Sequence, residues 1–594
     1  MKRVLALILV CALVCVSVAG HPTPAVRAAG EVLYVEIPHD SYCRAPATTA
    51  YLPIMMGNLS DQGTMTIRSI EVLDAQGKTV TAKQTEFTLE SLAGKAGSSE
   101  EIRKALGIIP PATADIATAQ ILITKAAITA DSKQKSILVE QAFFASRAKQ
   151  SMKNPEEFTA EESKIQQLLK PVTLAVDLPQ FTTDTTSETA VPVTVRITGE
   201  LSEQPFIVER QTIVFLLTSL PNGGMWHPGD GHVHTQGLSQ NPPDVPSQYT
   251  PGYEQFYGFS DATDLATVLT RRDQANSKGM QWIIMTDHAG ENSGHNTSEP
   301  RLEQDEWSIY QMACSRATTQ YSPTLTVCPG EELATKEFWE SGTMTGHLLS
   351  YANSSYAASY GDQTCQYLIN QAIGNSGFGV IAHPCGGIPW GDWYATPWRG
   401  LEVISNQTGT YSVGAVNQWD TWLRSSLGNE IVGTVRRVAM ANSDVHNSNS
   451  WPAWGSNMNY IYTGSYSVPG TSPSAVWNPI NQGSLTASSD GSFAAATVNS
   501  TYPGYTTSVA RNSTVSVFVT GTPAFLSYTN AEVTIFLNGY PQTSQIVPLS
   551  GGNFTRTYSI TVPADGYIRV EVHYGIADNY SGYCFVNPVF IDTY

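Results

Sequence analysis

The spacing of apolar residues changes period twice along this chain of 594 residues, and that double change restricts the fold more than any other feature. Residues 31–96 alternate apolar and polar positions, as in Glu31-Val-Leu-Tyr-Val-Glu-Ile37 and Met65-Thr-Ile-Arg-Ser-Ile-Glu-Val72, which is the two-residue period of half-buried strands. Between about 226 and 450 the rhythm becomes strand, loop, helix. Short apolar runs at 281–285, 378–381, 401–404 and 435–439 alternate with helical stretches at 261–278, 301–317, 364–375 and 415–427. Alternation returns near the end, at 516–519, 532–537 and 567–572. The sequence thus predicts an α/β core with a β region on each side. Repeated β-α units build a parallel sheet or barrel with active groups at the C-terminal strand ends.

Local composition adds a helical insertion and an uncharged tail. Nineteen of the 75 residues from 97 to 171 are charged, against 14% overall, and Asn154-Pro155 followed by Glu156-Glu157 reads as a helix start. Residues 451–594 hold only nine charges and are rich in Ser, Thr, Asn and Tyr. The expected units are a signal peptide (1–29), an N-terminal β domain (30–225) with its insertion at 97–171, a catalytic α/β unit (226–460) and a C-terminal β-rich module (461–594).

Lys2-Arg3 followed by the short apolar run Val4–Val18 and small residues at 19–20 and 28–29 resembles an export signal, too short for a spanning helix. A secreted protein, extracellular or periplasmic, without a membrane span follows. Six cysteines lie outside that segment (Cys43, Cys314, Cys328, Cys365, Cys385, Cys584), so disulfides among the central four are expected in an oxidising compartment. The net charge of −18, with no basic stripe, argues against duplex nucleic acid as a partner.

Histidine placement points to chemistry. Eight of eleven histidines fall within 227–446. His232-Val-His234 puts two imidazoles on one strand face. His288 and His383 each follow an apolar strand, His347 begins one, and Asp444-Val-His446 repeats the two-residue spacing. Imidazoles and carboxylates converging at strand ends suit zinc, manganese or iron, not a calcium cage. No G-x-S-x-G elbow, H-E-x-x-H or Walker A loop competes with this reading.

The ordered series Asp230-Gly-His-Val-His-Thr235, Thr286-Asp-His288, Pro329-Gly-Glu331, Gly346-His-Leu-Leu349, Ala382-His-Pro384 and Asn442-Ser-Asp-Val-His446 resembles the motifs of the polymerase-and-histidinol-phosphatase (PHP) superfamily. The flanking regions and the ending Asn587-Pro-Val-Phe-Ile591 are similar to its exported, carbaryl-hydrolase-like branch. The resemblance implies a distorted (β/α)7 barrel over roughly 225–450 and two or three divalent ions. His232, His234 and Asp444 would hold one ion. Glu331 would bridge to a second held by His347 and His383, and His288 with His446 would hold a third. Glu331, Asp444 and His446 would be the catalytic set. No histidine follows the H-x-H in Gln236–Asp244, which leaves the third site short of a ligand unless Asp244 substitutes. Asp230 and Asp287 fall behind the ligands as orienting carboxylates, with direct metal ligation the alternative for Asp287. Arg399 and Glu402, beside a strand end, are candidate substrate contacts. The implied activity is metal-dependent hydrolysis of a small-molecule or oligomeric ester, phosphoester first and amide, ester or carbamate second, with a metal-bridging hydroxide as nucleophile. A surface or carbohydrate-binding protein with a structural metal is the reading from another class.

Overall fold

A computed structural model describes residues 32–36, 40–45, 48–60, 63–74, 76–93, 121–126, 134, 138, 170–217, 220, 225–235, 265–289, 302, 304, 306–320, 325–334, 346–357, 364–385, 390–405, 412–425, 427, 436–445, 457–464, 468, 470–525, 528–549, 552–575 and 582–594. The export segment, almost all of the 97–171 insertion, Gln240, Asp244, His295 and His446 lie outside these residues.

Eight strands form the N-terminal region: β1 (Leu33–Glu36), β2 (Asp40–Arg44), β3 (Thr49–Asn58), β4 (Thr64–Leu73), β5 (Thr79–Glu90), β6 (Lys170–Asp177), β7 (Thr189–Leu201) and β8 (Gln204–Leu217). They make a three-stranded sheet, β1-β3-β6, and a five-stranded sheet, β2-β8-β7-β4-β5. Strict alternation in β7, where Val191, Val193, Val195 and Ile197 are buried, turns one face inward. That face packs with Leu52, Ile54, Leu174 and Val176 of the smaller sheet into one apolar cluster, so the two sheets are layers of a sandwich.

The central strands are β9 (Trp226–Val233), β10 (Trp282–Met285), β11 (His288–Ala289), β12 (Thr326–Ala334), β13 (His347–Tyr351), β14 (Phe378–Ala382), β15 (Gly400–Ile404), β16 (Val438–Ala441) and β17 (Met458–Tyr462). The last nine are β18 (Leu485–Ser488), β19 (Phe493–Val498), β20 (Thr506–Val509), β21 (Ser513–Thr522), β22 (Asn530–Leu537), β23 (Tyr540–Pro548), β24 (Phe554–Val562), β25 (Gly566–Tyr574) and β26 (Gly582–Thr593). Five α-helices are described: α1 (Leu265–Ser277), α2 (Trp307–Thr319), α3 (Cys365–Gly374), α4 (Val413–Ser425) and α5 (Ser474–Gln482). In α3 the Thr364 side chain accepts from the Tyr367 backbone N–H as an N-cap, and Cys365, Leu368, Ile369 and Ala372 face the core at helical spacing.

The expected (β/α)7 barrel is overturned by the strand order and content. Twenty-six strands against five α-helices make the described chain mainly β. One path runs β16-β15-β14-β13-β12-β10-β9-β17-β18-β26-β25-β22-β23, and it does not stop at a seventh strand. β13 lies antiparallel to both β12 and β14. An antiparallel neighbour needs no long crossover, and no described helix joins β12 to β13 or β14 to β15. The remaining pairs among β9, β10, β12, β14, β15 and β16 are parallel, and a parallel bridge Val233↔Val445 brings the chain after β16 back to the end of β9.

The sheet β18-β26-β25-β22-β23 faces β19-β21-β24, and Val515, Val517, Val519, Val533, Ile535, Val570 and Val572 fill the space between them. Expected disulfides are also corrected: among the described residues Cys314, Cys328, Cys365, Cys385 and Cys584 form no disulfide, and four of them are buried. Cys314, Cys328, Cys365 and Cys584 sit on separate helices and strands as small apolar residues, and Cys385 lies in the turn after β14. Cys43 has no described side chain. Among the described residues no helix is long and apolar enough to cross a membrane.

A buried ionic knot fastens α4 to the C-terminal strands. Arg569 on β25 donates through Nε to Asp420 Oδ1 at 2.8 Å and through Nη2 to Asp420 Oδ2 at 2.7 Å, and through Nη1 to Glu571 at 2.5 Å. Its guanidinium lies 4.0 Å from the Phe536 ring centre and 5.1 Å from that of Trp419. Removing one partner leaves the others charged and dry. Arg569→Ala should therefore lower stability by about 3–5 kcal/mol in urea denaturation. Arg68→Ala, which breaks an exposed pair with Glu200, should leave the midpoint unchanged.

Candidate metal centre

The parallel strands deliver their C-terminal ends to one place, and the reversed strand delivers its beginning there. His232 and His234 come from the end of β9, His288 from β11, Glu332 from β12, His383 from just after β14 and Asp444 from just after β16. His347 is the first residue of β13, whose direction is opposite, so its start lies at the same end.

Glu332 is the focus. Its Oε2 lies 3.0 Å from His288 Nδ1, 3.1 Å from His234 Nε2 and 3.4 Å from His232 Nε2. Its Oε1 lies 2.7 Å from His347 Nδ1 and 3.3 Å from His383 Nε2. Asp444 Oδ1 is 3.2 Å from His232 Nε2 and 3.3 Å from His234 Nε2. Two donor groups follow, each with ligand atoms within 4.8 Å of one another: His232, His234, Glu332 and Asp444, and His288, Glu332 and His347. Only Glu332 belongs to both.

The arrangement fits divalent ions on grounds beyond proximity. Glu332 Oε2 is buried with no hydrogen-bond donor aligned to it, although three imidazole nitrogens surround it. The ring nitrogens His232 Nε2 and His234 Nε2 approach to 3.0 Å, a contact that a shared cation would relieve. Glu402 Oε1 accepts a hydrogen bond from His232 Nδ1–H at 2.8 Å, which turns Nε2 towards the cluster as the nitrogen a metal would use. His383 and Asp444 are held at φ 28° and φ 54°, left-handed conformations that cost non-glycine residues roughly 1–3 kcal/mol each and collect at functional sites. Gly231 is required beside the motif, because a Cβ there would stand 2.8 Å from Tyr351 Oη and 2.9 Å from Asn442 Oδ1.

Charge is balanced by protons when no ion is bound. Burial raises the cost of a charged imidazolium at His232, yet Asp444, Glu332 and Glu402 together carry it well above its ordinary range. Burial acts likewise on His234, where Asp444 and Glu332 win and push it up to about 9. At His288 burial prevails and drives it down to about 4. Burial alone would raise Glu332, but His347, His288 and His232 hold it well below the usual carboxylate range.

Several residues stand elsewhere than expected. Glu331 points away from the centre: its carboxylate accepts from Ala357 N–H at 3.1 Å and from the Asn353 amide, and burial pushes it up to about 8. Successive side chains alternate across a strand, so of two adjacent glutamates only one can face the ions. Of the two glutamates it is Glu332 whose carboxylate stands among the imidazoles and belongs to both donor groups, with His288 opposite it in register. Glu402 is no substrate contact, for it is buried and its Oε2 accepts from His383 N–H at 2.6 Å. Arg399 precedes β15, at the far end of that strand, and donates to the Arg436 carbonyl. Asp230 and Asp287 are behind the centre: Asp230 accepts from His232 N–H and Ser443 N–H, and Asp287 accepts from Thr235 N–H and its hydroxyl, with its Oδ1 4.0 Å from His234 Nδ1. Burial raises Asp230 to about 7.

No protein-family model and no curated protein matches the chain. Among solved structures, a glycosyl hydrolase family 2 member from Bacteroides cellulosilyticus aligns at 10% identity over 95% of this chain and 63% of its own, with a TM-score of 0.15. Parabacteroides merdae β-glucuronidase aligns at 9% identity over 95% and 66%, also at 0.15. The chain thus spans a little under two thirds of these proteins' lengths. Superposition at that level traces no shared fold and assigns no activity.

Glu332→Gln should abolish metal retention, and Glu331→Gln should keep it, as read by elemental analysis after exhaustive dialysis. Ions must displace the protons on His232 and His234, whose affinities for protons are raised. Uptake should therefore release protons, and affinity should still be climbing with pH as His234 titrates at about 9. Calorimetry in buffers of different ionisation enthalpy measures both.

Proposed function

We propose that this chain is a metal-dependent hydrolase that cleaves phosphoesters, with Glu332 shared by the two groups of residues that would hold divalent ions. The observation that carries the proposal is one buried carboxylate shared by two imidazole-rich donor groups. His232, His234 and Asp444 would hold one ion, and His288 and His347 the other, with His383 Nε2 directed at the Glu332 oxygen that faces His347. Ions in such pairs lower the pKa of water and polarise an ester oxygen.

The chain's own residues set direction and access. Glu402 fixes the His232 tautomer, and Asp230 holds the backbone that presents it. His288 and His347 are 16% and 14% exposed, whereas His232 and His234 are fully covered. Substrate therefore enters over His288 and His347. Arg271, buried nearby, is committed to the His234 carbonyl and to Gln274. The motif series resembling the PHP superfamily, in which phosphoester cleavage is the commonest chemistry, supports that choice over amide or carbamate cleavage.

Purified protein loaded with manganese or zinc should hydrolyse bis(p-nitrophenyl) phosphate or p-nitrophenyl phosphate. Activity should vanish with a chelator, return with either ion, and fall at least a hundredfold in Glu332→Gln. Cleavage of a naphthyl carbamate alone would move the reaction to the carbamate class. Absence of all three activities in metal-loaded protein would overturn the hydrolase reading.

A further inference from the structure

A second concavity lies far from the imidazoles. A cleft of about 500 Å³ covers the outer face of β19-β21-β24 and ends against Trp226 and Tyr502, a size usual for small-ligand sites. Phe518 is 43% exposed there, and the strand registers place Thr497 on one side of it and Thr557 on the other. Tyr502 is fixed as a wall by stacking on Tyr462, ring centres 4.0 Å apart at 13°, and Tyr462 in turn meets Trp226 at 5.3 Å.

We propose that this cleft binds a neutral oligosaccharide. Its lining contains no Asp, Glu, Lys, Arg or His, so a charged ligand would be desolvated without a counter-ion. Hydroxyls of Thr497, Ser500, Ser516 and Thr557 line the floor and rim. An apolar ligand would bury them unsatisfied, which is costly. A sugar matches both features, since its C–H face stacks on an aromatic ring and its hydroxyls both donate and accept. Asn499, adjacent to Ser500 in a left-handed turn at φ 47° and 67°, is anchored through Oδ1, which accepts from Ser516 N–H at 2.9 Å. Its amide group stands at the cleft edge for a sugar hydroxyl.

The cleft and the metal centre are opposite ends of one strand. Trp226 opens β9, and His232 and His234 close it. At roughly 3.3 Å per residue the separation is about 25 Å. The sugar therefore is held, not cleaved, at this face, and the inference stands whether or not the metal centre is a phosphoesterase.

Calorimetric titration of the full chain with cellohexaose, xylohexaose, mannohexaose and maltohexaose tests it. At least one should bind, Phe518→Ala should weaken that binding tenfold or more, and Phe518→Tyr should stay within about threefold of wild type. Chelator treatment should leave the affinity unchanged. Failure of all four sugars to bind overturns the proposal. So does unaltered binding by Phe518→Ala, which places the sugar elsewhere, or loss of binding on chelation, which places it at the ions.

Discussion

Five imidazoles stand within 3.4 Å of the oxygens of one buried carboxylate, and the central architecture is arranged around that contact. An anion with no water is tolerable only when positive charge surrounds it. Here protons on the imidazoles or metal ions can supply that charge, and the two compete for the same lone pairs. The strand ends that carry these groups cannot spread apart without stranding Glu332. Satisfying that carboxylate and closing the sheet are thus the same requirement, met by the Val233↔Val445 bridge on one side and by the Glu332 registers on the other.

Much of the centre was legible because its residues occupy positions with few structural uses. Histidine directly after an apolar strand, repeated in order along the chain, leaves little room for packing explanations. His232, His234, His288, His347, His383 and Asp444 were named from that pattern, and the structure brings all six to one place. The carboxylate was misplaced by one residue. β12 is buried on both faces from Thr326 to Leu333, so no alternation of polar and apolar residues distinguishes Glu331 from Glu332. A signal did exist: a residue two positions from Gly330 shares its face, and a close backbone approach often marks the side where strands and ligands crowd. Glu402 was read as a substrate contact for a related reason. A carboxylate on a short apolar strand looks exposed to chemistry, while its partner, His232 Nδ1, is 170 positions away in sequence.

Fold was less legible than site. Period detection found α1, α2, α3 and α4 to within a few residues, yet connection geometry defeated it. The difference between a parallel and an antiparallel neighbour at β13 lies in how the chain turns between elements, and a five-residue strand such as His347–Tyr351 carries no mark of its direction. Cysteine parity misled for a different reason. Cys314, Cys328, Cys365 and Cys584 are wholly buried, and an even number carries no information once each thiol is simply filling space in a core.

The long sheet has a mechanical consequence. Because β9 pairs with β10 on one edge and with β17 on the other, that strand is held on both sides from the imidazole cluster at its end to Trp226 at its start, where the cleft of the separate β19-β21-β24 sheet ends. A flexible tether would let the two ends of β9 wander relative to each other. A continuous ladder makes them the fixed arms of a caliper. A ligand held against Trp226 would stand one strand length from the imidazole cluster, so its reach towards that cluster would be measured out by β9.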